Sequence, residues 1–177
     1  MDDIVKQAMA KWPNVPDCFG WLGLDARGQW FLRDDAVQAC GPFEQSKGSL
    51  LEHEKLLAFI ARNYAKDDLG RWFFQNGPQR VYVELEAAPF VWHLQPGGEV
   101  QAQTGALATP QACLIDEQGR VYLVTELGLG LVRSQDVGLV ADALEQQRWP
   151  QEEVLASSLP ERFGFVRSPA QQQAAAR

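Results

Sequence analysis

The chain has few of the residues from which reactive centres are usually assembled. It holds two histidines, three cysteines and two methionines in 177 residues. Cys18, Cys40 and Cys113 are odd in number and far apart, with no C-x-x-C pair. That spacing argues against a disulfide framework or a zinc knuckle and suits free thiols in a reducing cytoplasm. No uninterrupted apolar run approaches the length of a spanning helix. The opening MDDIVKQAMAKW has no basic region followed by an apolar core, so no signal peptide is expected. Positive charge is also scarce. Sixteen basic residues stand against 23 acidic ones, and a net charge of −7 repels nucleic-acid phosphates. These shortages lead to the expectation of a cytoplasmic protein that engages neither membrane nor nucleic acid and carries no metal or cofactor.

What is present is enough for a folded core. Hydrophobic residues make up 46% of the chain and charged residues 22%, the profile of a globular domain. A short helix is expected from Asp3 to Trp12, closed by Pro13. The strongest helical pattern runs from Leu50 to Lys66, with Ser49 as cap, Glu52 in the capping-box position and Leu57, Ile60, Ala61 and Tyr64 as its stripe. A second runs from Gln135 to Gln147 behind Ser134, and Pro150 opens a third, shorter one. Strand alternation marks Arg80–Glu86 and continues in Pro89–Leu94. Val121–Thr125 and Gly130–Arg133 suggest a further hairpin. Residues 168–177, SPAQQQAAAR, have little to bury and are expected to be a disordered tail.

One pattern occurs three times. Asp25-Ala-Arg-Gly28, Asp67-Asp-Leu-Gly70 and Asp116-Glu-Gln-Gly119 each lead through a polar residue into an apolar-aromatic run. The physical reading is a tight turn: Asp accepts turn N–H groups, Gly supplies a positive φ, and the aromatic run starts the returning strand. The first and third copies read as hairpins, and the second as a junction between the long helix and a strand. None has the oxygen ligands of an EF-hand. Three copies also raise the expectation of two related halves. The fold expected is α+β: small antiparallel, barrel-like or curved sheets with two or three packing helices. Residues 1–18 would form a helix and connector, 19–167 a compact domain with subdomains dividing near 100–112, and 168–177 the tail.

The segment GRWFFQNGPQRVYVELEAAPFVW, with the upstream FGWLGLDARGQWFL and LLEHEKLLAFIARNY, resembles uncharacterised bacterial families of small cytoplasmic proteins with a duplicated, split-barrel-like fold. Ala88-Pro89-Phe90-Val91, the Asp-x-x-Gly turn and Trp72-Phe73-Phe74 match their pattern, and the resemblance spans residues 20 to 135. Where the pattern places Leu-Val-Thr-Pro-Val-Glu, this chain has Phe74-Gln75-Asn76-Gly77-Pro78-Gln79. The resemblance implies an α+β barrel-like protein and no particular activity.

Few residues suggest chemistry. His53 lies in Glu52-His53-Glu54, but Leu57 stands where a zincin motif needs its second histidine. Gly128-Leu129-Gly130 lacks the Lys-Ser/Thr of a phosphate loop and reads as a bend. Arg27, Arg71 and Arg120 flank the repeated turns; they suit exposed turns, or, if related halves pack symmetrically, converge on a small anion. Phe90, Trp92 and His93 lie on one strand whose faces are both apolar or aromatic. Phe90 and Trp92 either fill the core or form a cleft or subunit contact at an edge, and His93 is either a hydrogen-bonded structural residue or part of that site. The function expected is binding of a small ligand or protein partner, as a homodimer, without catalysis. The alternative is a flavin- or other cofactor-dependent oxidoreductase of split-barrel type.

Overall fold

The computed structural model describes residues 1–176. It forms two compact units: residues 1–25, 29–86 and 165–177 in the first, and 26–28 and 87–164 in the second. The sequence suggested a division near 100–112; the main part of the second unit instead starts at Ala87, where the Val-x-Val strand has ended.

The first unit opens with helix α1 (Asp3–Lys11). Val5 is its buried residue, while Ile4 points to solvent. Strands β1 (Cys18–Leu24), β2 (Trp30–Leu32) and β3 (Ser49–Leu50) follow, with the short helix α2 (Asp35–Ala39) between the last two. Helix α3 (Glu54–Arg62) leads to β4 (Tyr64–Lys66), β5 (Trp72–Asn76) and β6 (Gln79–Leu85). The six strands lie in the order β3-β2-β1-β6-β5-β4. All neighbours are antiparallel except β1 and β6 at the centre, where Leu22 pairs with Val83 and Leu24 with Leu85 in parallel.

The second unit contains β7 (Phe90–Leu94), β8 (Val100–Ala102), β9 (Leu107–Ala108), β10 (Pro110–Asp116), β11 (Val121–Thr125) and β12 (Gly128–Val132). After these come α4 (Val137–Glu145), β13 (Gln151–Val154) and α5 (Leu159–Phe163). The sheet order is β13-β10-β11-β12-β7-β8-β9. Apart from β13, this repeats the first sheet strand for strand: two three-stranded meanders joined by a parallel pair between the first strand of one and the last strand of the other. The fold is therefore α+β, with curved, half-barrel-like sheets and packing helices, one parallel pair in the first sheet and two in the second standing within a mainly antiparallel arrangement.

The three Asp-x-x-Gly segments are hairpin turns. In each, the first Oδ of Asp accepts the backbone N–H four residues on, at 2.8–2.9 Å, from Gln29, Arg71 and Arg120. Asp67 and Asp116 also accept the N–H two residues on, at 3.0 and 2.9 Å. The glycines have φ of 82°, 79° and 76°, a region costly for a residue with a Cβ. The second copy is not a helix-to-strand junction. Helix α3 stops at Arg62, and β4 intervenes to make a β4–β5 hairpin.

Several sequence expectations shift for tertiary reasons. Ser49 does not cap the long helix, because Ser49 and Leu50 are drawn into pairing with Leu32 and Phe31. His53 takes the cap, its Nδ1 accepting the Leu56 N–H at 3.3 Å. In the second unit, residues 134–136 form a single 3-10 turn before α4. The expected helix after Pro150 is strand β13, because the edge of β10 pairs with it in parallel. Residues 168–175 are not a loose tail. Ser168 caps helix α6 (Pro169–Ala175), and Pro169 is buried.

Candidate functional site

The first unit holds a cleft of about 420 Å³ on one face of its sheet. Strand geometry decides which residues reach it. Leu22 pairs with Leu32 across β1 and β2, and Phe74 with Val81 across β5 and β6, so each pair shares a face. All four line the cleft, with Leu56 and Ile60 of α3 and Val37 of α2 as its walls. Trp21 and Leu32 are 41% and 45% exposed. Two large apolar side chains thus stand open to solvent at the cleft. A β-bulge brings Trp21 there: the β1–β6 register slips between Cys18 and Leu22, and Gly20 has φ 82°.

Polar groups at the cleft are Arg33, Asp34, Ser49 and Asn76. Arg33 is 3% exposed. Its Nε, Nη1 and Nη2 donate to the carbonyls of Ser46, Gly20 and Gly41 at 2.9, 3.2 and 2.7 Å. The guanidinium thereby fastens the loop over the sheet. Asp34 accepts the Val37 N–H at 2.9 Å and caps α2. The arrangement is a mostly apolar container with a polar margin, of a volume suited to a small molecule.

The residues singled out from sequence fall elsewhere. Arg71 belongs to the first unit and serves its own turn: Nε meets Asp67 Oδ2 at 2.7 Å and Nη2 meets the Tyr82 hydroxyl at 3.1 Å. The Tyr82 hydroxyl donates to the same Asp67 oxygen at 3.0 Å. Burial raises the Asp67 pKa, but the bonds from Arg71 and Tyr82 outweigh it and hold the carboxyl below its ordinary value. Arg27 and Arg120 fall in the second unit. Arg27 is exposed and Arg120 half-buried beside Asp116.

Phe90 and Trp92 are core residues of the second unit, 5% and 0% exposed. Their rings stack at 5.1 Å, and Trp92 Nε1 donates to the Leu123 carbonyl at 3.0 Å. Of the two readings, the buried one is realised, and Gly130 is why the indole fits: a Cβ there would lie 2.2 Å from Trp92 Nε1. His93, on the opposite face of β7, is half-exposed. Its Nδ1 lies 2.8 Å from Asp136 Oδ2 and also against Arg133 Nη2. Asp136 further accepts the Leu94 N–H at 3.1 Å and pairs with Arg133 at 3.1 Å. Burial raises the Asp136 pKa, yet these bonds prevail and hold it below its ordinary value.

Sequence reasoning missed the cleft. Its residues come from five strands and two helices, and no motif in the sequence joins them. Among the described residues no group of three His, Cys, Asp or Glu side chains is placed to hold a metal ion. No helix among them is long and apolar enough to cross a membrane.

The class defined here is an α+β protein of two curved sheets, with an apolar cleft on the first. Residues 1–170 match the model of a family described as "Protein of unknown function (DUF2946)", and the chain belongs to that family. Two solved structures are similar to it. One is a DUF1285 family protein from Shewanella baltica OS155, at 20% identity over 69% of this chain and 91% of that one, with a TM-score of 0.46. The other is a DUF1285 family protein from Silicibacter pomeroyi DSS-3, at 13% identity over 80% and 84%, with a TM-score of 0.49. No curated protein matches the chain.

Proposed function

We propose that the protein binds a small, largely apolar molecule in the cleft of its first unit, without catalysing its conversion. The observation that carries this reading is the exposure of Trp21 and Leu32 over a floor of Leu22, Phe74 and Val81. Apolar area left in water beside a preformed concavity gains free energy when a ligand covers it, at about 25 cal/mol per Å². The polar margin favours a molecule with one hydrogen-bonding end. Catalysis draws no support from the lining, which has no histidine, cysteine or lysine to serve as nucleophile or general base beside the cleft. The flavin alternative needs phosphate donors, and the one cation at the cleft directs its guanidinium at three carbonyls.

The test uses the fluorescent apolar probe anilinonaphthalene sulfonate on the folded protein. Wild type should bind it saturably and with one-to-one stoichiometry. Leu32→Glu places a charge at an exposed position on the cleft, and should weaken binding by about tenfold or more while leaving the unfolding midpoint nearly unchanged. Equal binding by both proteins overturns the proposal. Sedimentation of the same samples checks whether the chain associates as the homodimer expected from sequence, and an absorption band near 450 nm in the purified protein would instead support the flavin reading.

A further inference from the structure

The opposite face of the same sheet carries a second concavity, of about 600 Å³, and it has a different chemistry. Side chains alternate along β5. Phe74 lies on the cleft face, while Phe73 and Gln75 turn to the other side. Gln75 pairs directly with Arg80 of β6, so the two stand side by side on that second face, and both line this groove. The remaining lining comes from Pro78 in the β5–β6 turn and from the end of α1 and the connector behind it, including Met9, Trp12, Pro16 and Asp17.

Gln75 is the anomaly. It is 1% exposed and lies in the aromatic run Trp72-Phe73-Phe74. Its Nε2 donates to the Gly77 carbonyl at 3.0 Å, but its buried Oε1 has no partner. An unpaired buried acceptor is a standing cost, and buried amides normally satisfy both ends. Oε1 therefore calls for an N–H donor. Arg80 supplies the complementary group. Its guanidinium lies 4.7 Å from the Phe73 ring centroid. The guanidinium also hydrogen-bonds the Tyr82 hydroxyl, but it carries more N–H donors than that bond uses, and those left over can take a planar anion. Behind the Tyr82 hydrogen bond, Asp17 also acts electrostatically on Arg80, and it lines the groove, so a negative group borders it. Trp12, 51% exposed, and Met9 add apolar surface.

We propose that this groove binds a small zwitterion of the amino-acid type with an apolar side chain. The carboxylate pairs with the Arg80 edge. The ammonium donates to Gln75 Oε1 and faces Asp17, and the side chain rests on Trp12 and Met9. This site is separate from the apolar cleft and does not depend on it.

The experiment is titration calorimetry on the full chain with L-phenylalanine, N-acetyl-L-phenylalanine, which lacks the ammonium, and L-phenylalaninamide, which lacks the carboxylate. L-phenylalanine should bind, and each blocked analogue should bind at least about tenfold more weakly, the scale of one lost charge-assisted contact. Arg80→Gln should lose the discrimination between acid and amide. Gln75→Leu should lose that between free and acetylated amine. Leu32→Glu, on the opposite face, should bind as wild type does. No heat from L-phenylalanine at about 10 mM overturns the proposal, and so does equal binding of all three compounds. If Gln75→Leu does not fold, the ligand series on the wild type still decides.

Discussion

A glycine with nothing near it isolates the cost of backbone conformation. At Gly119 a Cβ would meet no atom within 4 Å, yet φ is 76°. Gly119→Val should therefore cost about 1–3 kcal/mol through dihedral strain alone. Gly119→Asn should cost less, because Asn tolerates the left-handed region. Urea midpoints check both, and an unshifted valine variant would contradict the turn geometry. Gly130 makes the complementary case: its φ is ordinary and its space is taken by the Trp92 indole. Gly130→Ala should cost about 1–3 kcal/mol by overpacking, and Trp92→Ala about 3–5 kcal/mol by leaving a cavity. The cysteines differ by burial alone. Cys40 is exposed, Cys18 half-buried and Cys113 buried, and burial pushes the Cys113 thiol up to about 11. Iodoacetamide at neutral pH should modify Cys40 first and spare Cys113 until the protein unfolds, as mass spectrometry would show. Early loss of the Cys113 thiol would contradict its place in the core.

At the scale of the element, what was legible followed local chemistry, and what was not followed partners distant in sequence. The repeated turns could be read because Asp and Gly act within five residues. The start of α3 could not, since strand β2 takes Ser49 and Leu50. Helix α6 illustrates the same limit. Its sequence has little apolar surface, yet Glu84 on β6 holds it: the carboxylate accepts the Ser168 hydroxyl at 2.5 Å and the Ala170 N–H at 3.0 Å. Burial is the largest influence on Glu84 and keeps its pKa above the ordinary value despite those bonds. The sign then follows. A raised acid pKa means the folded state holds its proton more tightly, so stability from this group declines as pH rises from the unfolded value through the folded one. Glu84→Gln, a neutral isostere, should be at least as stable as wild type at pH 7, with the difference shrinking toward pH 4. Asp67 and Asp136 act oppositely: their lowered values add stability above the usual carboxylate range and lose it as pH falls through the folded pKa. Urea midpoints of the three neutral variants against pH check the signs, and a Glu84→Gln deficit that widens with rising pH would contradict this account.

At the scale of the molecule, the two sheets share an order that only the turns had announced. The second and third Asp-x-x-Gly copies join β4 to β5 and β10 to β11, which hold equivalent places in the two sheets. The first copy joins β1 to β2. Its counterpart between β7 and β8 keeps the glycine, Gly98 with φ 89°, and the backbone bond from Gln95 N–H to the Glu99 carbonyl. Gln95 stands there in place of Asp, so the fourth turn carried no motif to find. The cleft was invisible for a related reason: its walls meet only once a parallel pair brings β1 and β6 together, with Leu22 against Val83 and Leu24 against Leu85. The first unit is also closed by the end of the chain. Leu85 N–H donates to the Arg167 carbonyl at 2.8 Å, Val166 N–H to the Gly70 carbonyl at 2.9 Å, and Phe165 is 5% exposed. Every strand of the second sheet, by contrast, lies between Phe90 and Val154. Deleting residues 165–177 should therefore act on one unit. Hydrogen exchange on the truncated protein should show amides of β6 and β1 losing protection, because the segment that covers and bonds them is gone. Amides of β11 and β12 should keep theirs. Equal loss in both sheets would mean that the units unfold as one, and unchanged protection in β6 would mean that the returning segment contributes nothing to the sheet it touches.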